Sequence, residues 1–237
     1  MITKNLDVFY PVLADGSNND LRYSLRSLKN MPHRKVFVCS KEIPWLSEEV
    51  TRIDTDIDYH HELKKFEKVN RKLYMACINP EISDPFIMMN DDFFIMRLIR
   101  ELPYYSLGDL NDRLATYGRI GSYAADLIKA REVLINGDYK TNDYEVHAPI
   151  IFHKKHLLEI LSKYPSNGHR RSLYCNMTNV HPRFVEKDVK VYSNTNNYSK
   201  RSMFLSTDDS SFLMCEVGAY IRQVFSDKCK YERDDNE

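Results

Sequence analysis

The sequence predicts an α/β protein: a mixed sheet flanked by helices, with a helical insertion, in one catalytic domain over residues 1–237. Three observations carry this. Short apolar runs of β character alternate with segments of helical spacing. One such run, Pro85-Phe86-Ile87-Met88-Met89, ends abruptly on Asn90-Asp91-Asp92. A chain of 237 residues is long enough to bury one sizeable core.

The elements follow in order. The run 6–13 is apolar and closes on Ala14-Asp15-Gly16-Ser17, so it predicts a buried strand and a turn. Asn19 or Asp20 can cap a helix whose apolar face holds Leu21, Leu25 and Leu28, and which stops near Pro32. Residues 35–40 predict a second strand, 42–49 a loop with a short helix around Trp45 and Leu46, and 52–56 a short third strand. Residues 60–78 have helical composition and lead into the central strand 85–89. The stretch 101–143 predicts helix and irregular structure, an insertion. A helix is expected around 157–161, a strand over 203–206 that runs into Asp208 and Asp209, a last helix over 211–225, and a frayed charged tail from about 228.

Composition narrows the function classes. Lysine plus arginine equals aspartate plus glutamate at 34 each, so no global field points to a nucleic-acid or membrane partner, and any polyanion must be met by a local patch. No stretch approaches the roughly 20 apolar residues that cross a bilayer, so a soluble, cytoplasmic protein is expected. Five cysteines without a CxxC pair encode neither a disulfide framework nor a zinc site. Only seven glycines are present, and neither glycine-rich phosphate motif occurs. A nucleotide would have to be held by side chains and a metal.

Asn90-Asp91-Asp92 is the most informative junction. A buried strand ending in adjacent carboxylates sets them at the carboxyl edge of a sheet, where open α/β sheets bind ligands. If the segment stays extended, Asn90 and Asp92 share one side and Asp91 takes the other. Such a cluster is also a common turn, but this one sits between apolar runs at 86–89 and 93–96, where uncompensated carboxylates are costly. Hard oxygen ligands of this kind suit a divalent cation. Arg22 and Arg26, four apart on one helical face, could fork onto phosphate oxygens, although a solvated helix face has the same pattern. His147, before the apolar Ile150-Ile151-Phe152, is of the residue type best suited to move a proton near neutrality. The His169-Arg170-Arg171 triplet offers positive charge, as a surface loop also would.

The order and wording of these segments resemble the Stealth family of sugar-phosphate transferases. Asp7-Val8-Phe9-Tyr10 through Asp15-Gly16-Ser17 is similar to its first region, without the usual tryptophan. Leu21-Arg22-Tyr23-Ser24-Leu25-Arg26-Ser27-Leu28, Lys35-Val36-Phe37-Val38, Ile43-Pro44-Trp45-Leu46 and Phe86 through Phe94 are similar to its second. His147-Ala148-Pro149 with His169-Arg170-Arg171-Ser172, and Phe204 through Asp209, are similar to the third and fourth.

The resemblance implies a glycosyltransferase-A-like fold and a nucleotide-diphosphate sugar as donor. Mn²⁺ or Mg²⁺ would be held by Asp91, Asp92 and Asp209. Asp15, Arg22, Arg26, Asn90 and Arg171 would bind the donor, with His147, Asp209 and Asp92 catalytic. Transfer of the sugar alone and transfer of sugar-1-phosphate both stay open. So does the hydroxyl acceptor, a glycan or a hydroxylated DNA base; the basic stretches at 64–65, 70–72, 153–156 and 199–201 speak for DNA and the neutral net charge against it. A binding module that kept the fold without the chemistry is the competing reading.

Overall fold

The computed structural model describes residues 2–13, 18–117, 121–194 and 197–233; the expected donor ligand Asp15 and the turn around it lie outside these. The chain runs β1 (Asp7–Tyr10), α1 (Asn19–Ser27), β2 (Val36–Cys39), β3 (Val50–Ile53), α2 (Lys65–Ile78), β4 (Phe86–Met88), β5 (Phe93–Ile95) and β6 (Tyr104–Ser106). It continues α3 (Leu110–Tyr117), α4 (Ser122–Asn136), β7 (Ile150–Phe152), α5 (Lys154–Lys163), α6 (Arg170–Met177), β8 (Pro182–Phe184), β9 (Lys190–Val191), β10 (Phe204–Thr207), α7 (Asp209–Met214) and α8 (Glu216–Val224).

The main sheet has the order β3-β2-β1-β4-β7. Its first four strands are parallel and β7 is antiparallel to β4. Parallel strands are covered on both faces, which explains why they read as continuous apolar runs. The side chains still alternate. Val8, Tyr10, Val36, Val38 and Ile87 pack with Leu21 and Leu25 of α1, and with Leu28 just after it, on one face. Phe9, Phe37, Cys39, Phe86 and Met88 pack on the other against Leu73 and Ala76 of α2 and Leu157 of α5. Leu110, Leu127 and Leu134 of the expected insertion belong to this second layer.

A second sheet, β5-β10-β9, carries α7 and α8, with Phe94 stacked flat on Phe212 at 5.7 Å between centroids. α1 ties the two sheets together. Ser24 Oγ donates to the Phe93 carbonyl at 2.6 Å, and Ile95 N–H donates to Ser27 Oγ at 3.0 Å. These serines sit on the buried face, where alanine would leave strand groups without a partner.

Several expectations are corrected. Trp45 lies in a turn and Leu46 forms an isolated antiparallel bridge with Glu232, in place of a short helix. The last helix is two helices broken at Cys215, where the chain turns so tightly that a Cβ on Gly218 would lie 1.8 Å from the Phe212 carbonyl. The tail is docked through 233, with Tyr231 and Glu232 buried.

Glu232 is what docks it. Arg26 Nε and Nη2 fork onto its two carboxylate oxygens at 2.7 and 2.8 Å, Arg22 Nη1 adds a third contact at 3.2 Å, and Arg26 Nη1 reaches the Phe225 and Ser226 carbonyls. Arg22 also stacks on Trp45. Removing one partner of a buried ion pair strands the other, so Glu232→Ala is expected to lose about 3 kcal/mol of unfolding free energy in a urea titration.

Candidate functional site

The order β3-β2-β1-β4 reverses direction at β1, so the carboxyl ends of β1 and β4 flank a switch point. A cleft of about 380 Å³ opens there. Pro11 and Leu13 follow β1; Asn90, Asp91 and Asp92 follow β4; Asp20 comes from the first turn of α1, Lys65 and Val69 from α2, Lys190 from β9, Thr207 from β10, and Asp208, Asp209 and Ser210 from the start of α7. Residues remote in sequence thus place five aspartates around one opening, with two lysines.

Residues 90–92 form a turn, not an extended segment. The Phe93 N–H closes it on the Asn90 carbonyl at 3.2 Å. The period-2 expectation therefore fails, and Asn90, Asp91 and Asp92 all line the cleft. The turn reading and the site reading were not alternatives, because this turn joins two buried strands and cannot swing into solvent.

Asp92 makes an ion pair with Lys190 through Oδ2, which Ser206 Oγ also approaches at 3.4 Å. Its Oδ1 is buried and has no hydrogen-bond partner. Burial pulls the Lys190 ammonium down, but the Asp92 charge and hydrogen bond outweigh it and hold Lys190 above the usual lysine range. Thr207 is fully buried and its hydroxyl also has no partner. Asp208 caps α7, accepting from Ser211 N–H at 2.6 Å, and so fixes Asp209 at the helix start.

Asp20 registers the local excess of negative charge. Burial, and then the charges of Asp91, Asp92 and Asp209, push its carboxyl up to about 7, against the pull of Lys190.

The other expected residues lie elsewhere. Arg22 and Arg26 are engaged by Glu232 and do not line the cleft, since a guanidinium fork matches a carboxylate already buried beside it. Arg171 is buried, with Nη1 donating to the Val146 and Ala148 carbonyls, both at 2.7 Å. It clamps the backbone on either side of His147 rather than reaching the cleft. His169 and Arg170 begin α6 and are not a surface loop.

His147 does not line the cleft either, but it is linked to it. Its ring meets the edge of Phe93, the neighbour of Asp92, at 6.2 Å. Its Nδ1 pairs with Asp188, which also accepts the His147 backbone N–H at 2.9 Å. Burial works to raise the Asp188 carboxyl, but the hydrogen bonds from His147 and Val189 hold it below the usual carboxylate range. A histidine oriented through Nδ1 by a carboxylate keeps Nε2 for proton transfer.

The sequence reading missed Asp188, Lys190 and Thr207 as site residues and saw Asp20 only as a cap. Val189-Lys190-Val191, a charge inside an apolar alternation, was the available signal.

Among the described residues no three His, Cys, Asp or Glu side chains are grouped closely enough to hold a metal ion unaided. The donor set nonetheless fits a hard divalent cation that completes its shell with water and phosphate oxygens. It consists of carboxylates, one with a buried unpartnered oxygen, beside an unpartnered hydroxyl.

Because the native state holds the Asp20 proton more tightly than the unfolded chain does, this group subtracts stability progressively as pH rises from about 4 to about 7, after which the loss is complete. Asp20→Asn removes it. The variant is expected to match the parent near pH 4 and to exceed it by about 1–2 kcal/mol at pH 8, the range being discounted for partial solvation. Thermal or urea unfolding at the two pH values measures the difference.

No protein-family model and no curated protein matches the chain. Among solved structures it is similar to "WbbM bifunctional glycosytransferase apo structure", at 11% identity and a TM-score of 0.46, over 94% of this chain and 44% of that one. The chain thus spans less than half of that protein's length. Among the described residues no helix is long and apolar enough to cross a membrane.

Proposed function

We propose that this protein is a nucleotide-sugar transferase of glycosyltransferase-A-like fold, with the donor diphosphate bound in the acidic cleft at the β1/β4 switch point. The observation that carries this reading is the convergence of Asp20, Asp91, Asp92 and Asp209 from three separate segments on the sheet edge where α/β folds bind ligands. Hydrophobic strands bring Asp91 and Asp92 there, and the cap at Asp208 brings Asp209. A cleft so charged repels a diphosphate unless a cation accompanies it.

A divalent cation, Mn²⁺ or Mg²⁺, would supply charge neutralisation at the diphosphate, held by two of Asp91, Asp92 and Asp209, with water and phosphate oxygens completing its shell. The protein's own part is positioning. Asn90 and Thr207 offer neutral hydrogen-bonding groups in the same cleft, and Lys65 offers a second ammonium. The buried strands beneath fix these groups, so little reorganisation accompanies binding.

His147, oriented by Asp188, takes the proton of the acceptor hydroxyl at Nε2, and Asp209 contributes to the donor site rather than acting as the base. Attack at the anomeric carbon and attack at the β-phosphorus use the same site; glycosyl transfer is favoured as the simpler demand on it. A glycan hydroxyl suits the neutral net charge of the chain better than DNA does.

One observation favours a binding module instead: Lys190 already occupies one oxygen of Asp92. Thermal-shift measurements with nucleotide sugars, with and without Mn²⁺, separate donor binding from its absence. A donor is expected to raise the melting temperature only with the metal, and Asp91→Ala or Asp92→Ala to abolish the shift. No shift with any donor would defeat the transferase reading. A donor shift with no transfer to any acceptor would favour the module.

His147→Ala should leave the donor shift intact and lower kcat by about 10²–10⁴, the usual range for a general base. Undiminished turnover would remove His147 from that role.

A further inference from the structure

Lys190 pairs with Asp92, one of the two carboxylates that follow β4. It arrives on β9, whose register against β10 sets it beside Ser206, so that lysine and serine converge on Asp92 Oδ2. The pair is largely enclosed, with the lysine and aspartate side chains 12% and 18% exposed. The other Asp92 oxygen is buried without a partner, and the unpartnered Thr207 hydroxyl, on a fully buried residue, lines the same cleft. One oxygen of Asp92 is thus paired by the protein and the other is left without a partner.

An ammonium and a divalent cation compete for that carboxylate. The lysine is a point charge on a four-carbon stem with rotatable donors, so it can leave one anion for another nearby. An incoming diphosphate supplies such an anion next to the carboxylates.

We infer that Lys190 is a resident counterion of the cleft, which neutralises Asp92 in the free protein and passes to a diphosphate oxygen when a divalent cation takes its place on Asp92. This rests on the transferase reading above and assigns Lys190 two roles of opposite sign. It weakens cation binding to the free protein and strengthens binding of the diphosphate. Cation and donor therefore bind with positive coupling, each improving the other's affinity by the same factor. A lysine that merely held β9 in place would weaken both when removed.

The test uses the full chain with Mn²⁺ alone and with Mn²⁺ plus inorganic pyrophosphate, read by calorimetry and by the electron paramagnetic resonance of free Mn²⁺. Lys190→Met, which keeps the apolar stem and removes the charge, is expected to bind Mn²⁺ alone about 10-fold more tightly. The same variant is expected to bind pyrophosphate in saturating Mn²⁺ about 10-fold more weakly, and Lys190→Arg to restore the pyrophosphate affinity.

Asp92→Asn provides a second reading should Lys190→Met fold poorly. It loses Mn²⁺ affinity yet gains affinity for pyrophosphate without metal, because Lys190 is released. Mn²⁺ affinity unchanged or weakened in Lys190→Met, or no gain of metal-free pyrophosphate binding in Asp92→Asn, overturns the inference and leaves the transferase reading standing. Failure of the parent protein to bind Mn²⁺ or pyrophosphate at all overturns both.

Discussion

Within residues 90–92 the chain must leave the parallel sheet and enter a second sheet, and both strands it joins are fully buried. Most of the site's character depends on this constraint. A turn between such strands cannot swing away from the sheet edge, so its half-buried carboxylates stay beside the groups that the rest of the fold delivers. β9 brings Lys190, β10 brings Thr207, α1 brings Asp20, and the start of α7 brings Asp209. Ser24 and Ser27 of α1 bind the first and last residues of β5 and hold the turn's exit, while the Met89 N–H bonds the Phe9 carbonyl at 3.0 Å and holds its entrance. The turn is rigid because the strands are, and the charges on it are concentrated because the turn is.

Helix α1 distributes its charge in keeping with this arrangement. Its acidic residue faces the cleft from the first turn and its arginines lie further along, the polarity that the helix dipole favours. Even so, burial and three neighbouring aspartates prevail over that favourable end in setting the Asp20 proton affinity. The arginines serve stability. A guanidinium satisfied by Glu232 and two backbone carbonyls has few donors left to offer a phosphate, so the cation available at the cleft is the more mobile lysine.

Legibility from sequence followed the range of the interactions. The parallel strands were readable because burial on both faces leaves uninterrupted apolar runs, and the helix over 65–78 because its apolar positions share a face. The junction at residues 90–92 was readable because polar residues break an apolar run there. The error concerned local geometry: a period-2 argument was applied where the backbone turns. Arg22, Arg26 and Arg171 looked like phosphate ligands because spacing reveals a shared face and never its partner. Glu232 lies 206 positions from Arg26, and no local pattern reports such a pairing. The same holds for Asp188 and His147, 41 apart, and for Asp92 and Lys190, 98 apart. The tail was expected to fray because its composition is charged, but one buried carboxylate suffices to dock it.

The stretch that carries Asp188 and Lys190 links the two halves of the site. One short run, residues 188–190, presents Asp188 to His147 and Lys190 to Asp92. Phe93 connects the same halves, being adjacent to Asp92 in sequence, in edge contact with His147 and capped by the Arg171 guanidinium at 5.3 Å. A shift of β9 along β10 would move both ion pairs together, and Ser206 N–H bonded to the Val189 carbonyl resists that shift. The Lys190–Asp92 and His147–Asp188 pairs are thereby held in one frame by a single short segment.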